Sequence, residues 1–345
     1  MEDLRPPHND RAPHPSPARP PAAHRTRGAG PARLALVAVT AAVTGLSGCG
    51  AISSAGPAGT SSSAARPSGA TPGTRTGSDG PVEARPTEGA GAARALPAPG
   101  KPLPATPVEL ATALRETTAA LNAAVDRWKP AKDAPPRDVE LLALYQQRLY
   151  RHAARHRTLA DRAFARLPAA LAAQARDNVG AIRELLALAR PIKPSAVFKV
   201  QPARPAAELL GHFKRGERRF GVEWEVLAAV MFAETKFGRV RSDSHAGAQG
   251  PMQFMPATWR AYGMGGDVQD PRDAIMGAAN YLRASGAPRD YRRALHAYNP
   301  SQAYVNAILL HARQMKRDPR AYYAYYNWQV FVLTTEGERR LTGPK

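Results

Sequence analysis

The sequence predicts a mainly α fold, and three observations carry that expectation. Apolar residues recur at helical spacing through most of residues 105–317. Pro, Gly and small capping residues gather at the ends of those stretches. Only one segment, near the C-terminus, is aromatic and β-branched in the manner of a strand. Of the 345 residues, 33 are Pro and 28 Gly, concentrated towards the N-terminal third. One or two compact domains are therefore expected within residues 105–345.

Residues 1–48 read as an export signal. Arg25, Arg27 and Arg33 precede an apolar run from Leu34 to Leu46, which suits a signal peptide and is short for a bilayer span. The run ends in Leu46-Ser47-Gly48-Cys49, which resembles the lipobox of bacterial lipoproteins. That resemblance makes Cys49 a lipidation site. Cys49 is the only cysteine, so no intramolecular disulfide forms. The alternative is plain secretion. Residues 49–104 are Ala, Gly, Pro, Ser and Thr with almost no large apolar residue. They are expected to be a disordered tether with a reach on the order of 40 Å.

The formal charge is +20. Cleavage before Cys49 leaves about +17 by the same residue count. No nucleic-acid motif accompanies the charge, and export argues against such a partner. Anionic lipids and anionic polymers fit better, as does an Arg- and Ala-rich composition with no partner at all.

Residues 105–195 are expected to form a helical hairpin or three-helix unit. Val108 to Trp128 is one Ala/Leu-rich helix. Asp138 to about Leu167 is a second, with Leu141, Leu142, Tyr145, Leu149 and Tyr150 inward. A third runs from Pro168 to about Arg190, where Pro191 stops it. Arg148, Arg151, His152, Arg155 and His156 are expected to form a solvated basic face. Residues 205–317 read as a chain of short helices. Asp270 and Pro271 open one, Asp290 caps the next, and Ser301 caps a third. Residues 318–345 are expected to be a short extended arm, with strand character over Tyr322–Val332.

Three blocks carry chemistry. The apolar run Val222–Ala233 ends in Glu234, followed by Thr-Lys-Phe-Gly. At helical spacing Leu227, Val230, Met231 and Glu234 share one face. A carboxyl there loses hydration, which raises its pKa towards that of a general acid. A glycosidic oxygen needs such a proton donor before it can leave. The second block is Ser244 to Trp259, S-H-A-G-A-Q-G-P-M-Q-F-M-P-A-T-W. The third is Ala294 to Val305, A-L-H-A-Y-N-P-S-x-x-Y-V.

In order and content the three blocks resemble bacterial lytic transglycosylases of the lysozyme-like superfamily, which show E-S-x-F, S-x-x-G-A-x-G-x-M-Q-x-M-P and A-Y-N. The resemblance covers about residues 205–317. It implies a lysozyme-like domain that acts on peptidoglycan glycan strands, with no metal and no cofactor. It makes Glu234 the catalytic acid and base. It makes Ser244, Gly247, Met252, Gln253 and Phe254 a sugar cradle, with Met252 and Phe254 equally readable as core. The Tyr298 hydroxyl is expected to orient Glu234, and Asn299 to face the groove or simply close its helix. Thr235 stands where Ser is usual, Pro251 where Leu is common, and Pro300-Ser301 follows Asn299 in place of Ala-Gly.

The implied reaction cleaves the MurNAc–GlcNAc bond and closes a 1,6-anhydro ring. A lysozyme-type hydrolase on the same fold would need a second carboxylate, for which Asp243, Asp267, Asp270, Asp273 and Asp290 are the candidates. A non-catalytic wall-binding lipoprotein is the third reading. With the N-terminal signal, each places the protein outside the cytoplasm, held to the membrane by a lipid and near anionic wall polymers.

Overall fold

A computed structural model describes residues 95–130 and 134–345. The export signal, Cys49 and most of the tether lie outside the described residues. Helix α1 (Pro107–Arg127) starts where sequence chemistry requires it. Thr106 caps it, Glu109 reaches back to the Thr106 N–H, and Pro107 occupies the first turn. Its apolar stripe, Leu110, Leu114 and Leu121, is buried. It packs on α2 (Arg137–Arg155) and α3 (Arg157–Phe164).

The sequence reads α2 and α3 as one helix, but the structure breaks them at His156. The His156 imidazole Nδ1 lies 2.9 Å from the His152 carbonyl, and the residue leaves helical geometry at φ −118°, ψ 78°. The ring thus takes over a carbonyl at the end of α2, as a capping side chain does. Helix α4 (Ala169–Leu188) follows Pro168 and packs against α2 and α10 (Gln302–Arg317).

The remaining helices are α5 (Ala206–Phe220), α6 (Trp224–Thr235), α7 (Pro256–Tyr262), α8 (Pro271–Ser285), α9 (Tyr291–Tyr298) and α11 (Arg320–Tyr326). Asp270, Asp290 and Ser301 cap α8, α9 and α10 as the sequence indicates, each accepting from a backbone N–H three residues on. Helix α6 is apolar on all sides, and every residue from Val226 to Thr235 is buried. A helix of that kind belongs at the centre of a core. Helices α5, α8, α10 and α11 pack around it. Among the described residues no helix is long and apolar enough to cross a membrane.

The C-terminal segment corrects the expected extended arm. Tyr322–Tyr326 belong to α11, and strand structure begins only at Phe331. The aromatic run is helical because its rings fill the core from one side. Tyr322, Tyr325 and Trp328 are all buried, and Phe232 of α6 stacks on Tyr325 at 5.1 Å. Tertiary packing overrides strand propensity here. Strands β1 (Phe331–Thr334) and β2 (Gly337–Arg340) form an antiparallel hairpin, with Phe331 opposite Arg340.

The expected solvated basic face is instead an attachment surface for the chain itself. Arg148 donates to the carbonyls of Pro99 and Lys101. His152 pairs with the Pro104 carbonyl, and Arg151 and Arg155 share Glu338 of β2. These side chains strap the preceding segment and the hairpin onto α2.

Candidate functional site

Glu234 lies one residue before the end of α6, whose C-terminus turns sharply. Lys236, Phe237 and Gly238 all have positive φ, at 53°, 60° and 79°. Such geometry is costly for Lys and Phe and persists only where packing enforces it. Phe237 is 1% exposed among Phe213, Phe232, Tyr322 and Tyr326. That aromatic packing holds the turn.

The Glu234 side chain is 4% exposed. Burial pushes its carboxyl up to about 8, against the opposing effects of a hydrogen bond from Tyr304 and the charge of Lys236. The hydroxyl bound to Glu234 is therefore that of Tyr304, which donates to Oε1 at 2.7 Å. Tyr304 sits in the first turn of α10, which Ser301 caps.

Tyr298, expected to orient Glu234, has another partner. Its hydroxyl donates to the Met252 carbonyl at 2.6 Å. It remains close enough for the Glu234 charge to help raise its own pKa, after burial. So Tyr298 braces the second block, and Tyr304 contacts the carboxyl. Helical spacing puts Tyr304 with Ile308, His311 and Met315 on the buried face of α10, but it does not show the contact with Glu234.

The second block is a tight loop. Gln249 and Phe254 exchange two backbone hydrogen bonds, at 2.9 and 2.8 Å, and pinch Gly250–Gln253 between them. Gly250 has φ +72°, and a Cβ there would lie 1.9 Å from the Val268 carbonyl oxygen. Only glycine fits that approach. Gly247 also has positive φ, but open space surrounds it.

The Ser244 Oγ accepts from Ala246 and Ala248 N–H groups at 3.2 and 2.8 Å. It holds the loop and retains only its own proton for another partner. Met252 and Phe254 are 0% and 2% exposed, and Phe254 packs edge-on against Trp259 and Tyr298. Their side chains are the roots of the loop. Gln253 adopts φ 51°, and its Nε2 donates to the Gly250 carbonyl, while its buried Oε1 has no partner among the described residues. Asn299 is 5% exposed and ends α9 in extended geometry.

Thr235 joins the loop to the acid. Its buried hydroxyl donates to the Pro251 carbonyl at 2.7 Å and accepts from the Gly238 N–H at 2.9 Å. Neighbouring residues thus carry the carboxyl and fix the loop beside it. The aspartates considered as second carboxylates are engaged elsewhere. Asp270 and Asp290 cap helices, Asp273 accepts from Asp267 N–H, and Asp267 accepts from Gln269 N–H. Asp243 is exposed on the loop surface. The charge that acts on Glu234 is that of Lys236.

Residues 211–319 match the family described as the transglycosylase SLT domain. A curated protein, the membrane-bound lytic murein transglycosylase F of Thiobacillus denitrificans, is 27% identical over 124 residues, which cover 33% of this chain and 26% of that protein. The chain therefore spans about a quarter of the length of that relative. No solved structure matches it significantly. The segment that positions Glu234 is the part of the chain that matches the transglycosylase SLT domain, and the match supports a kinship of that segment with the lytic transglycosylases of the lysozyme-like superfamily.

Proposed function

We propose that the protein is a peptidoglycan lytic transglycosylase that cleaves the MurNAc–GlcNAc β-1,4 bond and leaves a 1,6-anhydroMurNAc end. The observation that carries this reading is a buried carboxyl, pushed up to about 8, whose neighbour Thr235 is bonded to a glycine-shaped loop. At neutral pH such a carboxyl holds its proton and can donate it. Glu234 protonates the glycosidic oxygen as the bond breaks. The substrate's N-acetyl group stabilises the positive charge that develops at the anomeric carbon. The resulting Glu234 carboxylate takes the proton from the 6-hydroxyl of the same sugar, whose oxygen closes the ring. The proton given in the first step is thus recovered in the second.

The one-carboxylate route is supported by the structural commitments of the four downstream aspartates and by the exposure of Asp243. Gln253, with its unpartnered Oε1, is the loop residue best suited to accept from a sugar amide or hydroxyl. Ser244 keeps one donor for the same purpose. Tyr298 acts through Met252 on the position of the loop. The assignment extends to the site of action. The expected signal and Cys49 lipid anchor would hold the domain outside the cytoplasm, on a tether that reaches the wall.

Mass spectrometry of digested peptidoglycan tests the reading. Anhydro-muramic ends are expected. Reducing ends would assign a lysozyme-type hydrolase instead, and binding with no released product would assign a wall-binding protein.

A further inference from the structure

Against the last turn of α6, at Phe232, Ala233 and Lys236, lies a cavity of about 60 Å³ that no residue of the loop lines. Its walls come from α2, α4, α6, α10 and the C-terminal hairpin, so much of it is built outside residues 211–319. A cavity several times the size needed for one water is rarely left without an occupant when polar groups line it. Two cations line this one, Arg151 and Lys236. Glu338 accepts from both Arg151 and Arg155, so one carboxylate serves two guanidiniums. Among the described residues Lys236 has no carboxylate in ion-pair contact; its ammonium donates to the Phe232 carbonyl and lies over the Phe232 ring. The local balance is positive.

Two buried side chains in the same wall lack hydrogen-bond partners among the described residues. His311 is 1% exposed, and neither of its ring nitrogens is hydrogen-bonded. Trp328 is 2% exposed, and its Nε1 is also without a partner. Buried donors left unpaired are uncommon in folded proteins. Apart from Gln147, whose amide is hydrogen-bonded to the Gln329 backbone, the rest of the lining is aliphatic or aromatic, including Leu186 and Phe331. A hydrated dianion suits such walls poorly. A monoanion with an apolar body suits them well, since its charge meets the cations while its body replaces water against carbon.

The geometry points to a binding site for a small aliphatic carboxylate, either a free branched acid or the C-terminal end of a peptide, held by Lys236 and Arg151. No residue of the sugar loop lines the site, and Lys236 is the one lining residue whose charge also bears on Glu234.

The test is ligand-observed NMR and thermal unfolding of the full-length chain with isovalerate, isovaleramide, N-acetylleucine and inorganic phosphate. Isovalerate is expected to bind and to raise the melting temperature, and isovaleramide to do neither. Tighter binding of N-acetylleucine than of isovalerate supports a peptide end, and the reverse order supports a free acid. Lys236→Met is expected to weaken isovalerate binding about tenfold or more, the loss of one charge-assisted contact. Arg151→Met should act in the same direction, with Glu338 still held by Arg155. Equal binding of isovalerate and its amide, equal or stronger binding of phosphate, or unchanged binding by Lys236→Met would overturn the assignment. The comparison of acid with amide needs only the unaltered chain, so it decides the matter even if a variant fails to fold.

Discussion

The Tyr304 hydroxyl donates to Oε1 of Glu234 at 2.7 Å, across a buried contact between α10 and α6. A donor of this kind favours the ionised carboxyl and holds its pKa below what burial alone would impose. Tyr304→Phe should therefore move the alkaline limb of the pH–rate profile upward. The rate should fall about tenfold to a hundredfold, because a charge-assisted bond that orients the acid is lost. Tyr298→Phe should differ: it frees the Met252 carbonyl, so KM should rise with little movement of the limb. Profiles of both variants on purified peptidoglycan separate these roles.

Glu234→Gln should lower turnover about 10²- to 10⁴-fold, the range for removal of a general acid. If full activity survived, the assignment of Glu234 would fall.

The same substitution should alter how stability depends on pH. The Glu234 pKa is raised from 4.5 to about 8 on folding, so the folded state binds the extra proton between those values. Its contribution is fully present below about pH 4.5 and is lost as pH rises to about 8. Lys236 works in the opposite sense. Its pKa falls from 10.5 to about 7, so its neutral form costs the fold least at high pH, and stability rises from about 7 to 10.5. Urea unfolding of the wild-type chain between pH 5 and 8 should show the loss due to Glu234, and Glu234→Gln should flatten it.

Thr235→Val should leave the Pro251 carbonyl and the Gly238 N–H without their partner. A cost of about 1–3 kcal/mol is expected, with a raised KM as the loop loosens. Thr235→Ser keeps the hydroxyl and should restore most of both quantities. Denaturant titration and steady-state kinetics on the pair check this.

Gly250→Ala should be among the most disruptive single methyl additions in the domain. The new carbon would meet the Val268 backbone, which cannot rotate away as a side chain can. A loss on the order of 3 kcal/mol or more is expected. Gly247→Ala, in open space, should cost only the strain of positive φ, about 1 kcal/mol. Thermal unfolding of the two variants gives the comparison.

The sequence reveals the helices best where local chemistry sets their ends. Asp270-Pro271, Asp290 and Ser301 all start helices as read. It reveals Glu234 as the carboxylate that ends the unbroken apolar stretch Val226–Ala233. It is a poorer guide where distant contacts decide. Tyr322–Tyr326 has the composition of a strand, yet it forms a helix because its rings pack against Phe213, Phe232 and Phe237. Tyr298 and Tyr304 are six residues apart and equally polar, and only their tertiary placement shows which hydroxyl reaches the acid. The basic residues of α2 look solvated until the carbonyls of Pro99, Lys101 and Pro104 and the Glu338 carboxylate are brought to them.

The C-terminal aromatic residues have a consequence for timing. Phe232, two residues before Glu234, is covered by Tyr325 and Trp328, and Phe237 in the following turn by Tyr322 and Tyr326. A chain made from its N-terminus therefore carries its acid for some ninety residues before the rings that hold that acid in place have been synthesised. The turn that follows Glu234 gains its aromatic cover only when the last segment arrives.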